Sequence, residues 1–144
     1  MPNHFHFLMR QDSDSPLNIA LGFIFNAYTK AINKRYSRSG TLFQGSFKSI
    51  EVEDKKYLLE LCRYIHRNPI DDGLVRKIED WKYSNYHEWV NNRNGSLFDT
   101  KFRDKYFPDG KGYETYVLKH FSNKEYEKMI KRYVAKLKSG EAHL

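Results

Sequence analysis

The apolar pattern of this chain changes period early, and that change restricts the folds open to it. Phe5, Phe7 and Met9 alternate with His4, His6 and Leu8, the period of two that belongs to a β-strand. From Leu17 onward the spacing becomes helical, with Leu17, Leu21, Ile24, Tyr28 and Ile32 on one stripe. Ser15-Pro16 offers a start, with serine as N-cap and proline at the first helical position. The helix is predicted to run to about Tyr36. After the Ser39-Gly40 turn, Thr41 to Val52 reads as extended again, with Gly45 at a bend. Strand, helix and extended segment in that order predict an α+β fold.

A second helix begins at Asp54, a suitable N-cap, and carries the apolar stripe Leu58, Leu61, Cys62 and Ile65. Pro69 is expected to end it, because the residue before a proline is pushed out of the α region. Asp71-Asp72-Gly73 reads as a turn. Residues 78–90, with Trp81, Tyr83, Tyr86 and Trp89, read as a short helix with a looped entry. Asn91 to Gly95 is the candidate linker, giving a principal domain over 1–90 and a basic helical extension over 91–144. From Tyr113 the pattern is helical, interrupted near Ser122-Asn123, and it ends in Lys131, Arg132, Lys136 and Lys138.

With 11 Tyr and 10 Phe the chain has the ring area to build a core, which argues against disorder. A net charge of +7 and a pI near 9.4 favour a polyanionic partner, nucleic acid before a membrane surface. No run of eighteen apolar residues is present, so no membrane span is expected. The single Cys62 excludes an internal disulfide framework and a cysteine zinc cluster. It fits a reducing cytoplasm.

Several residues have the chemistry of a site. On a strand, His4 and His6 leave the same face, where two imidazoles can share one divalent ion. By itself that spacing does not separate a metal pair from incidental histidines. Tyr64 and Asn68 lie four apart on the second helix and therefore on one face, offset from the apolar stripe. A tyrosine hydroxyl can attack a phosphodiester and conserve the energy of the broken bond as phosphotyrosine. With a reference pKa of about 10, the phenol needs a base or a metal beside it. No acidic residue occurs between Ser15 and Ile50, whereas Lys30, Lys34, Arg35, Arg38 and Lys48 do. Phe43, Gln44 and Phe47 interleave with the last of them. Cations beside rings suit single-stranded nucleic acid, with charge on phosphates and rings under bases; a solvated helix face followed by an ordinary strand has the same pattern.

Taken together, these segments resemble a known family. Met-Pro-Asn-His-Phe-His-Phe-Leu is similar to the HUH strand of single-tyrosine transposases, in which U is a bulky hydrophobic residue. Residues 41–50, Thr-Leu-Phe-Gln-Gly-Ser-Phe-Lys-Ser-Ile, and 61–69, Leu-Cys-Arg-Tyr-Ile-His-Arg-Asn-Pro, resemble successive blocks of the REP-associated tyrosine transposases. Asp71-Asp-Gly-Leu-Val and Asp80-Trp-Lys-Tyr-Ser-Asn-Tyr continue the pattern. The resemblance covers about residues 1–90.

It implies a ferredoxin-like HUH domain, here starting at the HUH strand itself and so lacking the strand-helix-strand that precedes it in the family. A sheet short of those strands exposes edges, which a homodimer would cover. The resemblance further implies a divalent metal, Mg or Mn, held by His4, His6 and Asn68, with Tyr64 as nucleophile. The partner would be single-stranded or hairpin DNA, bound through Lys30, Lys34, Arg35, Arg38, Phe43, Gln44, Phe47, Lys48 and Arg67, in a nucleoid-associated cytoplasmic protein. Tyr57, seven residues before Tyr64, is the alternative nucleophile. The alternative function is a catalytically inactive or domesticated nucleic-acid-binding module of the same descent.

Overall fold

In the computed structural model, which describes residues 1–96, 98–119 and 124–139, every regular element is helical. The helices are α1 (Leu17–Arg35), α2 (Lys55–Asp71), α3 (Tyr86–Trp89), α4 (Thr100–Tyr106), α5 (Tyr113–Leu118) and α6 (Lys124–Ser139). Short 3-10 turns cover Ile78–Asp80 and Pro108–Gly110.

The expected α+β, ferredoxin-like architecture is therefore corrected. Among the described residues there is no strand and no sheet. Residues 4–9 and 41–52 lack regular structure. Alternation decides which side each residue takes, but a strand also needs a neighbour to complete its ladder, and none of the described residues pairs with these segments.

α1 starts on Pro16, one residue later than the serine cap predicted, and no side chain caps it. Lys34 and Arg35 in its last turn complement the negative end of the helix dipole. Of its apolar stripe only Leu21 is buried, while Ile24 and Tyr28 remain exposed. α2 is the opposite case. Asp54 caps it as expected, its carboxylate accepting the Lys56 N–H at 2.7 Å. The helix does not stop before Pro69 but runs through it to Asp71. Proline removes one hydrogen bond within the last turn, and the turn is closed past it. The Asp72 N–H donates to the Asn68 carbonyl, and the Leu74 N–H to that of Pro69, each at 2.9 Å.

Two apolar clusters flank α2. In the first, Cys62 meets Ile78, Tyr86, Trp89, Tyr113 and Val117, with the Trp89 ring stacked on Tyr113 at 4.2 Å. The second joins Tyr57 and Leu61 to Ile130 of α6, with Tyr64, Tyr133 and Val134 alongside. Within the segment read as a linker, two residues hold side-chain bonds. Asn91 Nδ2 donates to the Asp109 carbonyl at 2.7 Å, and Arg93 pairs with Glu88 at 2.8 Å. Buried Arg103 on α4, a helix the sequence pattern did not reveal, donates to the Glu88 carbonyl and to Asn91 Oδ1. Close by, a Cβ on Gly110 would lie 2.3 Å from the Trp89 carbonyl oxygen, so only glycine fits there. The expected break near Ser122-Asn123 lies outside the described residues.

His66 is the polar centre of the first cluster. Its ring bonds the Tyr113 hydroxyl through Nδ1 at 2.6 Å and Asn85 Oδ1 through Nε2 at 2.9 Å. An amide oxygen only accepts, so Nε2 carries the proton and Nδ1 accepts from the phenol. Burial pulls the His66 pKa down from 6.5 to about 4, although the Asn85 bond and the Glu88 charge oppose the shift. The unfolded chain therefore binds the extra proton first, and stability falls as pH drops from about 6.5 toward 4. A shift of that size corresponds to a loss on the order of 3 kcal/mol. Melting temperature followed against pH should show this decline, and His66→Gln should flatten it even if it lowers stability throughout.

Candidate functional site

Three of the side chains read from the sequence as chemical, His4, His6 and Tyr64, meet in the structure. His4 and His6 sit on an extended segment with their rings 5.1 Å apart, edge to face. His6 in turn lies against Tyr64 of α2, the ring centroids separated by 5.7 Å. Phe5, between the histidines, points the other way and packs on Phe25 at 5.3 Å and Phe43 at 5.8 Å. The alternation inferred from sequence thus survives without a sheet. Asn68 lies one turn beyond Tyr64 on α2 and is buried, and Tyr64 packs on the second cluster, so their face is not offset from the core as expected.

Tyr64 is half-buried, and its pKa is raised, first by burial and then by the charges of Asp72 and Asp71. Both effects disfavour the phenolate, so a cation beside the hydroxyl is needed to offset them. Tyr57 is 5% exposed. Its hydroxyl has no hydrogen-bond partner among the described residues, and burial drives its pKa far up. Its ring packs on Tyr133 at 5.0 Å. Tyr57 lies in the core of the second cluster, whereas Tyr64, at its margin, has its ring against His6.

Among the described residues no group of three or more His, Cys, Asp or Glu is placed to hold a metal ion. Any ion here would depend on the two imidazoles together with amide oxygen. A mixed nitrogen and oxygen donor set suits a divalent cation, and the 5.1 Å ring separation allows both histidines to reach one ion.

The predicted nucleic-acid residues divide into three groups. Lys30, Lys34, Arg35 and Arg38 are exposed around the end of α1, as are Gln44 and Lys48. Arg38 also donates to the Thr41 carbonyl at 3.3 Å. Phe43 and Phe47 are half-buried in a ring cluster. Phe43 lies 5.2 Å from Phe25 and 6.3 Å from Tyr28, and Phe47 lies 6.1 Å from Phe25. Arg67 faces inward. It holds Asp71 with Nε at 3.2 Å and Nη2 at 2.8 Å, and its Nη1 donates to the Leu118 carbonyl at 3.1 Å. Its guanidinium joins α2 to α5.

Sequence reasoning missed Phe25 as a partner of Phe5, and Tyr28 as a partner of Phe43. Tyr28 stood on the predicted helical stripe, but what it would touch was not visible.

A Haemophilus influenzae protein named "Putative REP-associated tyrosine transposase" is 29% identical to this chain over 101 residues, covering 62% of the chain and 57% of that protein. The chain is similar in sequence to that protein over this stretch. It spans little more than half the length of that relative. No protein-family model matches the chain, and no solved structure does. No helix among the described residues is long and apolar enough to cross a membrane.

The ring cluster generates a test of Phe43. If its place is in the cluster, Phe43→Ala should cost about 2 kcal/mol of stability and leave nucleic-acid affinity per folded molecule within twofold. Loss of affinity at unchanged melting temperature would instead assign the ring to base stacking.

Proposed function

We propose that this transposase relative is a DNA strand transferase that cleaves and rejoins single-stranded DNA beside a hairpin through a 5′-phosphotyrosine intermediate. The observation that carries the reading is the contact of His6 with Tyr64, at 5.7 Å. Two segments far apart in sequence, each read independently as chemical, meet at one point. The relative's name supports the transposase class.

The Tyr64 hydroxyl oxygen attacks the phosphorus of the scissile linkage. The bond from phosphorus to the 3′ oxygen breaks, and that oxygen leaves as a 3′-hydroxyl after taking up a proton. The phosphate stays on the 5′ side, esterified to Tyr64. Rejoining reverses the exchange: an incoming 3′-hydroxyl attacks, and Tyr64 departs as the phenol. One phosphoester replaces another at each step, so no external energy source is needed. His4, His6 and Asn68 are the residues that would hold Mg or Mn, which when bound supplies positive charge for the phosphate oxygens and for the phenol. The chain's own part is to hold the phenol beside that charge, with Tyr64 anchored on α2 by the second cluster. Lys30, Lys34, Arg35 and Arg38 supply an exposed cationic face for the flanking phosphates.

Tyr64→Phe should abolish the covalent adduct with a hairpin oligonucleotide labelled on its 5′-phosphate flank, run with Mn on a denaturing gel, while sparing DNA binding. Tyr57→Phe should keep the adduct, and it should leave stability equal or raise it by about 1 kcal/mol, because it removes a buried hydroxyl that lacks a partner. An adduct lost in Tyr57→Phe and kept in Tyr64→Phe would overturn the assignment. A wild-type protein that binds hairpins and never forms an adduct would favour a binding module.

The cationic face has its own measurement. Arg35→Ala combined with Arg38→Ala should weaken single-strand binding across sequences and flatten the slope of log affinity against log salt by up to about 1.4, at about 0.7 per phosphate contact. An unchanged slope would remove this face from the binding site.

A further inference from the structure

The two histidines of the candidate site lack the support that a sheet would provide. Residues 4–9 have no ladder, so hydrogen bonds between strands do not hold their backbone or aim their rings. Orientation must come from side-chain contacts. His6 meets the edge of His4 at 5.1 Å and the ring of Tyr64 at 5.7 Å. His4 is exposed, and beyond its contact with His6 it meets Asn3, whose Oδ1 lies 2.8 Å from His4 Nδ1.

That bond has a direction. An amide oxygen has no proton to give, so the imidazole must donate, and Nδ1 must carry the hydrogen. In the neutral ring the free lone pair is then on Nε2. A histidine that donates its other ring N–H to an oxygen is a more basic ligand with a settled orientation, and such partners are the usual companions of metal-bound histidines. The contacts run in series, from Asn3 to His4, from His4 to His6 and from His6 to Tyr64. Asn3 stands at the outer end of that series.

We propose that Asn3 is a positioning residue, which fixes His4 in the Nδ1–H tautomer and presents Nε2 as the lone pair for a divalent ion beside Tyr64. The inference rests on reading His4 and His6 as a metal pair. It adds a residue whose role is to aim a ligand and not to touch the reacting atoms.

The test uses the full chain, labelled with nitrogen-15 at histidine and freed of metal, at about pH 8, where imidazole is neutral. Long-range proton–nitrogen spectra, with His4 assigned by His4→Ala, should show one tautomer in the wild type, protonated on Nδ1. Asn3→Ala should move His4 toward the Nε2–H form that free imidazole favours in water. It should also weaken Mn binding by about 10- to 100-fold, measured from the free-ion electron paramagnetic resonance signal. Asn3→Asp, whose carboxylate can accept the same bond, should retain both the tautomer and the affinity. A wild-type His4 already in the Nε2–H form, or a tautomer indifferent to Asn3→Ala, would overturn the proposal. So would a tautomer change with Mn affinity unaltered, or a hydrogen bond confirmed in a protein that binds no Mn. Failure of the strand-transfer reading is separable: it would appear as absent adduct in wild type while the tautomer and Mn results stood as expected.

Discussion

The hydrogen bond between the His66 ring and the Tyr113 hydroxyl, 2.6 Å long in a closed interior, is the joint on which the rest of the molecule turns. It locks α2 to α5 and lets the Tyr113 ring lie flat against Trp89. That stack brings in α3, and Arg103 of α4 then gathers the carbonyl and amide oxygens at residues 88 and 91. A buried imidazole is a costly choice for such a joint, because each ring nitrogen must be satisfied on its own terms. Here each one is. The pairing is also selective: only one tautomer of His66 suits a phenol on one side and an amide oxygen on the other.

α2 is in consequence both scaffold and platform. One side faces the first cluster through Cys62 and His66, and another meets α6 through Tyr57 and Leu61. Tyr64 lies at the edge of the second contact, half-buried, where the helix turns toward the histidine segment. In the proposed reaction, a phenol fixed on a helix that is packed on two sides would lose little motional freedom when DNA arrives. The histidine segment opposite lies in no helix or sheet, and that asymmetry makes the contacts of His4 and His6 with their neighbours consequential.

The sequence disclosed local helical features more readily than the fold. The helical period of α1, the Asp54 cap and the shared face of Tyr64 and Asn68 were readable because they depend on residues a few positions apart. Sheet formation was misjudged because alternation at residues 4–9 reports which way side chains point and says nothing of a pairing partner. Pro69 misled for a related reason. Its local effect on a helix is real, but the bonds from Asp72 and Leu74 that carry the chain past it come from residues beyond the proline. α4 and the polar joint at His66 were invisible, since each depends on contacts between segments well separated in the chain. The inward turn of Arg67 could have been suspected from Asp71 four residues on, a spacing suited to an ion pair.

Arg67 also shows how the positive charge of this chain should be weighed. A net charge of +7 suggests a broad polyanion-binding surface, yet several of the arginines are committed to the interior. Arg63, Arg67 and Arg103 are buried, and each donates to backbone carbonyls while pairing with a nearby carboxylate. A guanidinium suits that work because its planar fork of donors can serve carbonyls and a carboxylate at once, which a lysine ammonium does less well. The cations left for a phosphate backbone are those held outward, with Lys30, Lys34, Arg35 and Arg38 grouped at one end of α1. That end lies beside the rings that hold the histidine segment, since Tyr28 of the same helix packs on Phe43 and Phe43 on Phe5. The arginines used in folding are thus withdrawn from any polyanion, while the α1 group, one of several exposed sets of cations, adjoins the rings packed on the histidine segment.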